Sequence, residues 1–148
     1  GAEDINVESE IINFISARKL NDIESINIMI NIISYLIKIN KKKKATHLLY
    51  ELRNDKTALE KIFNSKSIES IITKVRLNLL ISTLSDGETK KIETCKKSIN
   101  SILKISKKTE SIKLNYPLIK VYICSKEKEK AKKIAEKLKN IGIINFKL

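Results

Sequence analysis

The stretch Leu118–Gly142, LIKVYICSKEKEKAKKIAEKLKNIG, shows the clearest local organisation in the chain. An apolar segment ends at Cys124, a polar turn follows at residues 125–126, and a lysine-rich segment ends at a glycine. The lysine-rich segment has apolar residues at positions i, i+3 and i+7, which line one face of an α-helix. These residues are Ala131, Ile134 and Leu138. The stretch therefore predicts an α-hairpin with one buried seam between its two helices.

Two earlier stretches repeat this pattern. Ala45 and Ile92 take the place of Ala131, and the same apolar positions follow them in each copy. An apolar residue also precedes each of the three at one fixed distance, and these residues are Ile32, Leu79 and Leu118. The copies are offset by 47 and 39 residues, within the range of helical repeat arrays although not constant. We therefore expect each copy to be an α-hairpin.

The last copy resembles a pentatricopeptide or tetratricopeptide repeat. It has an apolar LIKVY segment, a turn, an alanine on the inner face of the second helix and a terminal Lys-Asn-Ile-Gly-Ile. The resemblance covers residues 118–142 well and the copies at 32–52 and 79–99 in outline. It implies stacked α-hairpins, which bind RNA in the first family and peptides in the second. The spacing is irregular and only Gly142 supplies a closing glycine, so no base-reading residue is carried over.

The composition favours an all-α fold. Hydrophobic residues make up 42% of the 148 residues, enough for the core of one compact domain over residues 1–148. Three Gly and one Pro are too few for the tight turns of a typical all-β domain. We predict a compact helical bundle or a short array of about three α-hairpins. Residues 1–6 are expected to be disordered or added for expression.

Helical periodicity extends along most of the chain. The segment 22–40 is apolar on most of its circumference, which predicts a central helix buried among others. Residues 106–114 are the least regular part and are expected to form a loop or a short edge strand. Further helices are predicted at 7–18, 45–53, 57–63, 67–84 and 89–103.

A second interpretation applies to the last part of the chain. Ile119, Val121 and Ile123 alternate with Lys120, Tyr122 and Cys124, which is strand periodicity. The tail IINFKL is strand-like as well. The alternative fold is therefore an α-helical domain with a small β-α-β element at 119–148, with 109–116 as a further candidate strand.

The two cysteines, Cys95 and Cys124, predict a reducing environment. Their spacing fits neither a zinc site nor a disulfide framework, so we expect buried thiols. No apolar run is long enough to span a membrane, and the first residues lack the pattern of a secretory signal. These features predict a soluble cytoplasmic protein that does not enter a membrane.

The sequence offers no arrangement suited to catalysis. The single histidine, His47, follows a lysine run on an amphipathic segment and is expected at the surface or its boundary. No P-loop, GxGxxG motif or Cys/His cluster is present, and no carboxylate pair has spacing that suggests acid–base work. We therefore predict a protein that is not an enzyme, with no catalytic residue, no cofactor and no metal.

Charge is the strongest functional signal. The net charge is +13, and it is unevenly distributed: residues 1–36 carry −4, and the remainder carries +17. A positive field favours partners that bear phosphates or acidic surfaces. With only three arginines and scattered aromatic residues, binding would rely on the nucleic-acid backbone, DNA or RNA, more than on bases.

The predicted phosphate contacts lie at or near the turns of the three hairpins. Lys44, Lys91 and Lys130 stand at equivalent positions, so stacked hairpins would place them on one basic rim. The candidate nucleic-acid-binding residues are Lys41, Lys42, Lys43, Lys44, Lys90, Lys91, Lys126, Lys128, Lys130 and Lys133. They predict an accessory or adaptor protein of a replication, primase or RNA-processing assembly. The alternative is a scaffold that binds a peptide or partner subunit, in which the lysines provide solubility.

Overall fold

The computed structural model describes residues 9, 13, 23–107 and 112–142. This part of the chain is helical and contains no strand, which confirms the predicted all-α class. A short 3₁₀ turn at Ile112–Leu114 precedes the sixth helix. The α-helices are α1 (Ile23–Lys38), α2 (Lys42–Asn54), α3 (Lys56–Asn64), α4 (Ile68–Leu84), α5 (Glu88–Ser106), α6 (Asn115–Cys124) and α7 (Lys128–Asn140).

The chain divides into two compact units, Gly1–Ser65 and Lys66–Leu148. A single domain over residues 1–148 stays a prediction. Residues 1–6 lie outside the described part of the chain. The helix predicted at 7–18 lies outside it as well, apart from Ser9 and Asn13, which are both helical.

The first unit is built on a hairpin of α1 and α2. Ile26, Ile30 and Ile33 of α1 recur at i, i+4 and i+7 and are buried almost completely. They form one stripe along α1. The helix α1 packs against α2 and also contacts α3. The facing residues of α2 are equally regular in spacing and buried: Ala45, Leu48, Leu49 and Leu52.

The second unit is built around α6, which packs against α4, α5 and α7. Its core includes Val75 of α4, Ile102 of α5 and Leu138 of α7, all with almost no exposed surface. The helix α4 begins at an N-cap, where the Ser67 hydroxyl oxygen accepts a hydrogen bond from the Ser70 amide at 3.2 Å. Four consecutive helices therefore form one apolar core.

The segment 118–124 is helical, so the alternative strand at its position is wrong. Because α6 has neighbours on several sides, Ile119, Val121 and Tyr122 are all buried, and the apolar residues spread around the helix imitate strand alternation. Pro117 lies in the first turn of α6, where an amide donor is not needed. The candidate strand at 109–116 is 3₁₀ or helical from Ile112 on, and the tail 143–148 lies outside the described residues.

The turn between α1 and α2 has the same geometry as the turn between α6 and α7. Asn40 and Lys126 take left-handed φ angles of 62° and 66°. Each turn is closed by two bonds with the same spacing: Asn40 N–H to Ile37 O and Lys41 N–H to Leu36 O in the first, and Lys126 N–H to Ile123 O and Glu127 N–H to Tyr122 O in the second. In both hairpins the second helix has 13 residues. The first and third copies of the sequence pattern are therefore the same local structure.

The middle hairpin, α4 with α5, differs in its turn. Gly87 precedes α5 with a φ of 92°, a conformation that residues other than glycine rarely adopt. The helix α5 then continues for 19 residues, beyond the length of the other second helices. The sequence recurrence thus corresponds to two hairpins with the same turn and a third with a different one.

Candidate phosphate-binding surface

The helix α7 separates an apolar face from a cationic one. Ala131, Ala135 and Leu138 are buried against the core, and the two alanines let α7 approach its neighbours closely. All its charged residues are exposed: two are glutamates, Glu129 and Glu136, and six are lysines. The lysines are Lys128, Lys130, Lys132, Lys133, Lys137 and Lys139.

Two of the three predicted turns lie side by side in the second unit. Lys126, in the turn before α7, has its Nζ 3.1 Å from the Oε1 of Glu88, the first residue of α5. The turn before α5, which Lys90 follows closely in sequence, therefore lies beside the turn before α7. We call the six lysines of α7, together with Lys90 and Lys126, the lysine surface.

Several of these lysines are neutralised by carboxylates. Lys130 Nζ lies 2.9 Å from Glu127 Oε1, and Lys132 Nζ lies 3.6 Å from Glu129 Oε1. The Ser125 hydroxyl also donates to Glu127 Oε2 at 3.1 Å. The hydrogen bond from Lys130 is the main cause that lowers the pKa of Glu127, and the same bond raises the pKa of Lys130. This pair therefore stays ionised on both sides.

Lys128 and Lys133 differ from these paired lysines. Both are exposed, and neither lies within 4.0 Å of a carboxylate among the described residues. Lys91, by contrast, is half-buried, and its backbone carbonyl accepts a hydrogen bond from the Ser82 hydroxyl at 3.3 Å. Lys91 and Lys130 hold equivalent positions in the sequence pattern, but only Lys130 is exposed.

Lys41–Lys44 lie in the first unit, where Lys41 is the N-cap of α2 and the other three begin the helix. Lys42, Lys43 and Lys44 are exposed. Cations at this end oppose the helix dipole, and the first turn has no acidic residue to offset them. The run is therefore a local concentration of positive charge that helix stability does not require.

His47 and the arginines are not part of the lysine surface. His47 is exposed, and its Nε2 lies 3.0 Å from Glu51 Oε1 one turn later. Arg53 is exposed, whereas Arg76 is half-buried and burial lowers the pKa of its guanidinium. Arg18 lies outside the described residues.

The structure joins Cys95 and Cys124 in a disulfide, which corrects the prediction of two free thiols. The sequence separation of 29 residues gave no indication of a pair. The two residues meet because α6 packs on α5, with Cys95 on the buried face of α5 and Cys124 at the end of α6. The one sequence feature that bears on this pairing is the hairpin pattern, which places Cys95 and Cys124 in consecutive hairpins.

None of the described helices is long and apolar enough to cross a membrane. Comparison with known proteins adds no relative: no family model, no curated protein and no solved structure matches this chain. The charge and geometry of the described residues are therefore the basis of the functional proposal.

Proposed function

We propose that the protein is a non-catalytic accessory protein that binds the phosphate backbone of a nucleic acid through its lysine surface. The observation that carries the proposal is α7, where every charged side chain is exposed and lysines outnumber glutamates by six to two. Such a helix attracts phosphates because binding releases the counterions condensed on the nucleic acid. A replication, primase or RNA-processing assembly would supply this kind of ligand.

The distribution of charge between the two units supports the same surface. The second unit, residues 66–148, has 20 Lys and Arg against 8 Asp and Glu, a net of +12 out of +13 for the whole chain. If lysines provided solubility alone, they would need no such concentration in one unit. Lys41–Lys44 form a second cationic segment on the first unit.

The lysines of the surface are expected to differ in their contribution to phosphate binding, because some form ion pairs with carboxylates and others do not. Lys126 and Lys130 face carboxylates, so a phosphate would have to compete with Glu88 and Glu127 for them. Lys128 and Lys133 face no carboxylate among the described residues and can contact phosphate without that competition. We therefore expect Lys128 and Lys133 to contribute more to binding.

A pair of double variants tests this ranking. Lys128→Gln with Lys133→Gln is compared with Lys126→Gln with Lys130→Gln, each variant losing two positive charges. Binding to a fluorescein-labelled single-stranded oligonucleotide is measured by anisotropy at low salt. The first variant should bind about tenfold more weakly than the unmodified chain, and the second about threefold more weakly. Equal affinity of all three proteins would contradict the proposal.

A second candidate function, a protein-interaction scaffold, is favoured by a different observation. Ile112, Tyr116 and Ile123 are 52%, 48% and 46% exposed, and their spacing places them along one side of α6 and the 3₁₀ turn before it. Lys120 lies between them, with its Nζ 4.6 Å from the centre of the Tyr116 ring. An apolar stripe of this kind suits a partner helix with its own apolar face.

The variant Tyr116→Glu with Ile123→Glu separates the two candidates. A protein partner held by the stripe should stay bound to the unmodified chain at roughly 0.5 M salt, where exposed charges are screened, and should be lost from the variant. Oligonucleotide binding should weaken only slightly, through the two added charges. A protein partner that is lost from this variant, together with no oligonucleotide binding by the unmodified chain at low salt, would favour the scaffold.

A further inference from the structure

The disulfide between Cys95 and Cys124 lies directly beside the lysine surface. Cys95, in the middle of α5, is completely buried, whereas Cys124, the last residue of α6, is partly exposed. The Ser82 hydroxyl of α4 lies 3.1 Å from the Cys124 sulfur. Three helices therefore meet at this bond, immediately before the turn that leads into α7.

The turn after Cys124 sets the position of the first lysines of α7. Within it, Ser125 and Lys130 both bond to the carboxylate of Glu127. One polar connection to the neighbouring turn is the ion pair of Lys126 with Glu88, and both of these side chains are exposed. Exposed ion pairs constrain a structure weakly and are screened by salt. Beyond the apolar core, the disulfide is therefore the strongest connection between this turn and α5.

Without the disulfide, the end of α6 has fewer constraints. Ile123, the residue before Cys124, is 46% exposed, and in the turn itself Ser125 is buried whereas Lys126 is exposed. Exposed segments at the ends of helices open locally at a lower free-energy cost than the core does. A cross-link between residues 29 positions apart opposes such opening because it restricts the ends of the intervening chain. Its reduction should leave the core folded and increase the motion of the turn.

Thiol exchange can reach this bond from one side. Because Cys95 is buried, an external dithiol attacks the Cys124 sulfur as a thiolate, and the S–S bond breaks. The bonding electron pair passes to the Cys95 sulfur, which takes up a proton. The second thiol of the reductant then displaces Cys124 and forms the reductant's own disulfide. In total, two electrons and two protons pass from the dithiol to the protein.

We propose that the Cys95–Cys124 disulfide regulates the lysine surface, so that the oxidised chain binds nucleic-acid phosphates more tightly than the reduced chain. This inference rests on the proposed function. In the oxidised chain, the turn orders Lys126 and Lys128 before phosphate binds. In the reduced chain, the same lysines must be ordered when phosphate binds, which weakens the affinity.

The full chain is compared after oxidation by glutathione disulfide and after reduction by dithiothreitol. Thiol counting should find no free thiol in the first sample and two in the second. The reduced chain should bind the labelled oligonucleotide about fivefold more weakly, the loss expected for one or two phosphate contacts. The variant Cys95→Ala with Cys124→Ala should bind like the reduced chain under both conditions. Amide exchange at residues 124–130 should be faster in the reduced chain.

Equal oligonucleotide affinity of the oxidised and reduced chains, with circular dichroism showing both to be helical, would overturn the inference. Two free thiols after oxidation would overturn it as well. If neither form binds the oligonucleotide, the proposed function itself is wrong, and the regulation proposed here falls with it. In that case, exchange that is faster at 124–130 after reduction would still show that the disulfide orders the turn.

Discussion

At the scale of single residues, Asn40 and Lys126 hold equivalent positions with left-handed φ angles of 62° and 66°. Asparagine tolerates this conformation better than lysine does, because its short polar side chain bonds locally. Asn40→Lys should therefore lower the free energy of unfolding by about 0.5–1 kcal/mol. Lys126→Asn should raise it by less, because it removes the ion pair with Glu88. Urea denaturation measures both changes, and a stabilised Asn40→Lys protein would contradict the account of the shared turn.

Glu127 gives the turn before α7 a pH dependence. The hydrogen bond from Lys130 lowers the pKa of Glu127 below its ordinary value of 4.5. A carboxyl with a depressed pKa in the folded state stabilises that state above its unfolded pKa, and loses this contribution as the pH falls through the folded pKa. Glu127→Gln should therefore be less stable than the unmodified chain at pH 7, with the difference shrinking as the pH falls through the lowered pKa of Glu127. Urea denaturation at a series of pH values checks this, and a difference that stays as large at strongly acidic pH as at pH 7 would contradict it.

At the scale of helices, replacing a lysine at the start of α2 should change protein stability and oligonucleotide binding in opposite directions. Lys43 is exposed in the first turn, which contains no acidic residue. Lys43→Glu should raise the free energy of unfolding by about 0.3–1 kcal/mol because it complements the helix dipole. If Lys41–Lys44 also contact phosphate, the same variant should bind the oligonucleotide more weakly. Lys56→Glu, at the start of α3, is a matched change outside that run. A Lys43→Glu protein with lower stability would contradict the description of this helix end.

Most helices could be predicted from the sequence because their apolar stripes are regular. Ala45, Leu48 and Leu52 lie on the buried face of α2, as their spacing predicts. The helix α6 was ambiguous since its neighbours bury it on several sides and its exposed side carries Tyr116 and Ile123, so it lacks the polar face that distinguishes an amphipathic helix from a strand. Its helical state depends on tertiary packing that sequence periodicity does not contain.

The candidate site was less predictable than the helices. The sequence identified the lysines, but their exposure and pairing depend on residues distant in sequence. Glu88, in the first turn of α5, forms an ion pair with Lys126 in the turn before α7. Cys95 and Cys124 form a disulfide because α6 packs against α5. Of the three turns in the predicted rim, two lie side by side in the second unit and the turn of Lys41–Lys44 belongs to the first, so the complete rim stays a prediction.

At the scale of the whole molecule, positive charge is concentrated in the second unit, at a net of +12. Its two hairpins, α4 with α5 and α6 with α7, share one apolar core, and α7 directs its lysines outward from it. We infer that the core of this unit supports a cationic surface. The shared turn of the first and third hairpins is consistent with an ancestry from repeated α-hairpins, which stays a proposal.

The most direct test of phosphate binding is the salt dependence of affinity for the full chain. The association constant for a labelled single-stranded oligonucleotide is measured between about 50 and 200 mM salt. The proposal predicts that log K falls linearly with log salt, with a slope of about −2.8 to −3.5 for four to five phosphate contacts by a single strand. A protein that does not bind at the lowest salt, or whose affinity does not change with salt, would contradict it.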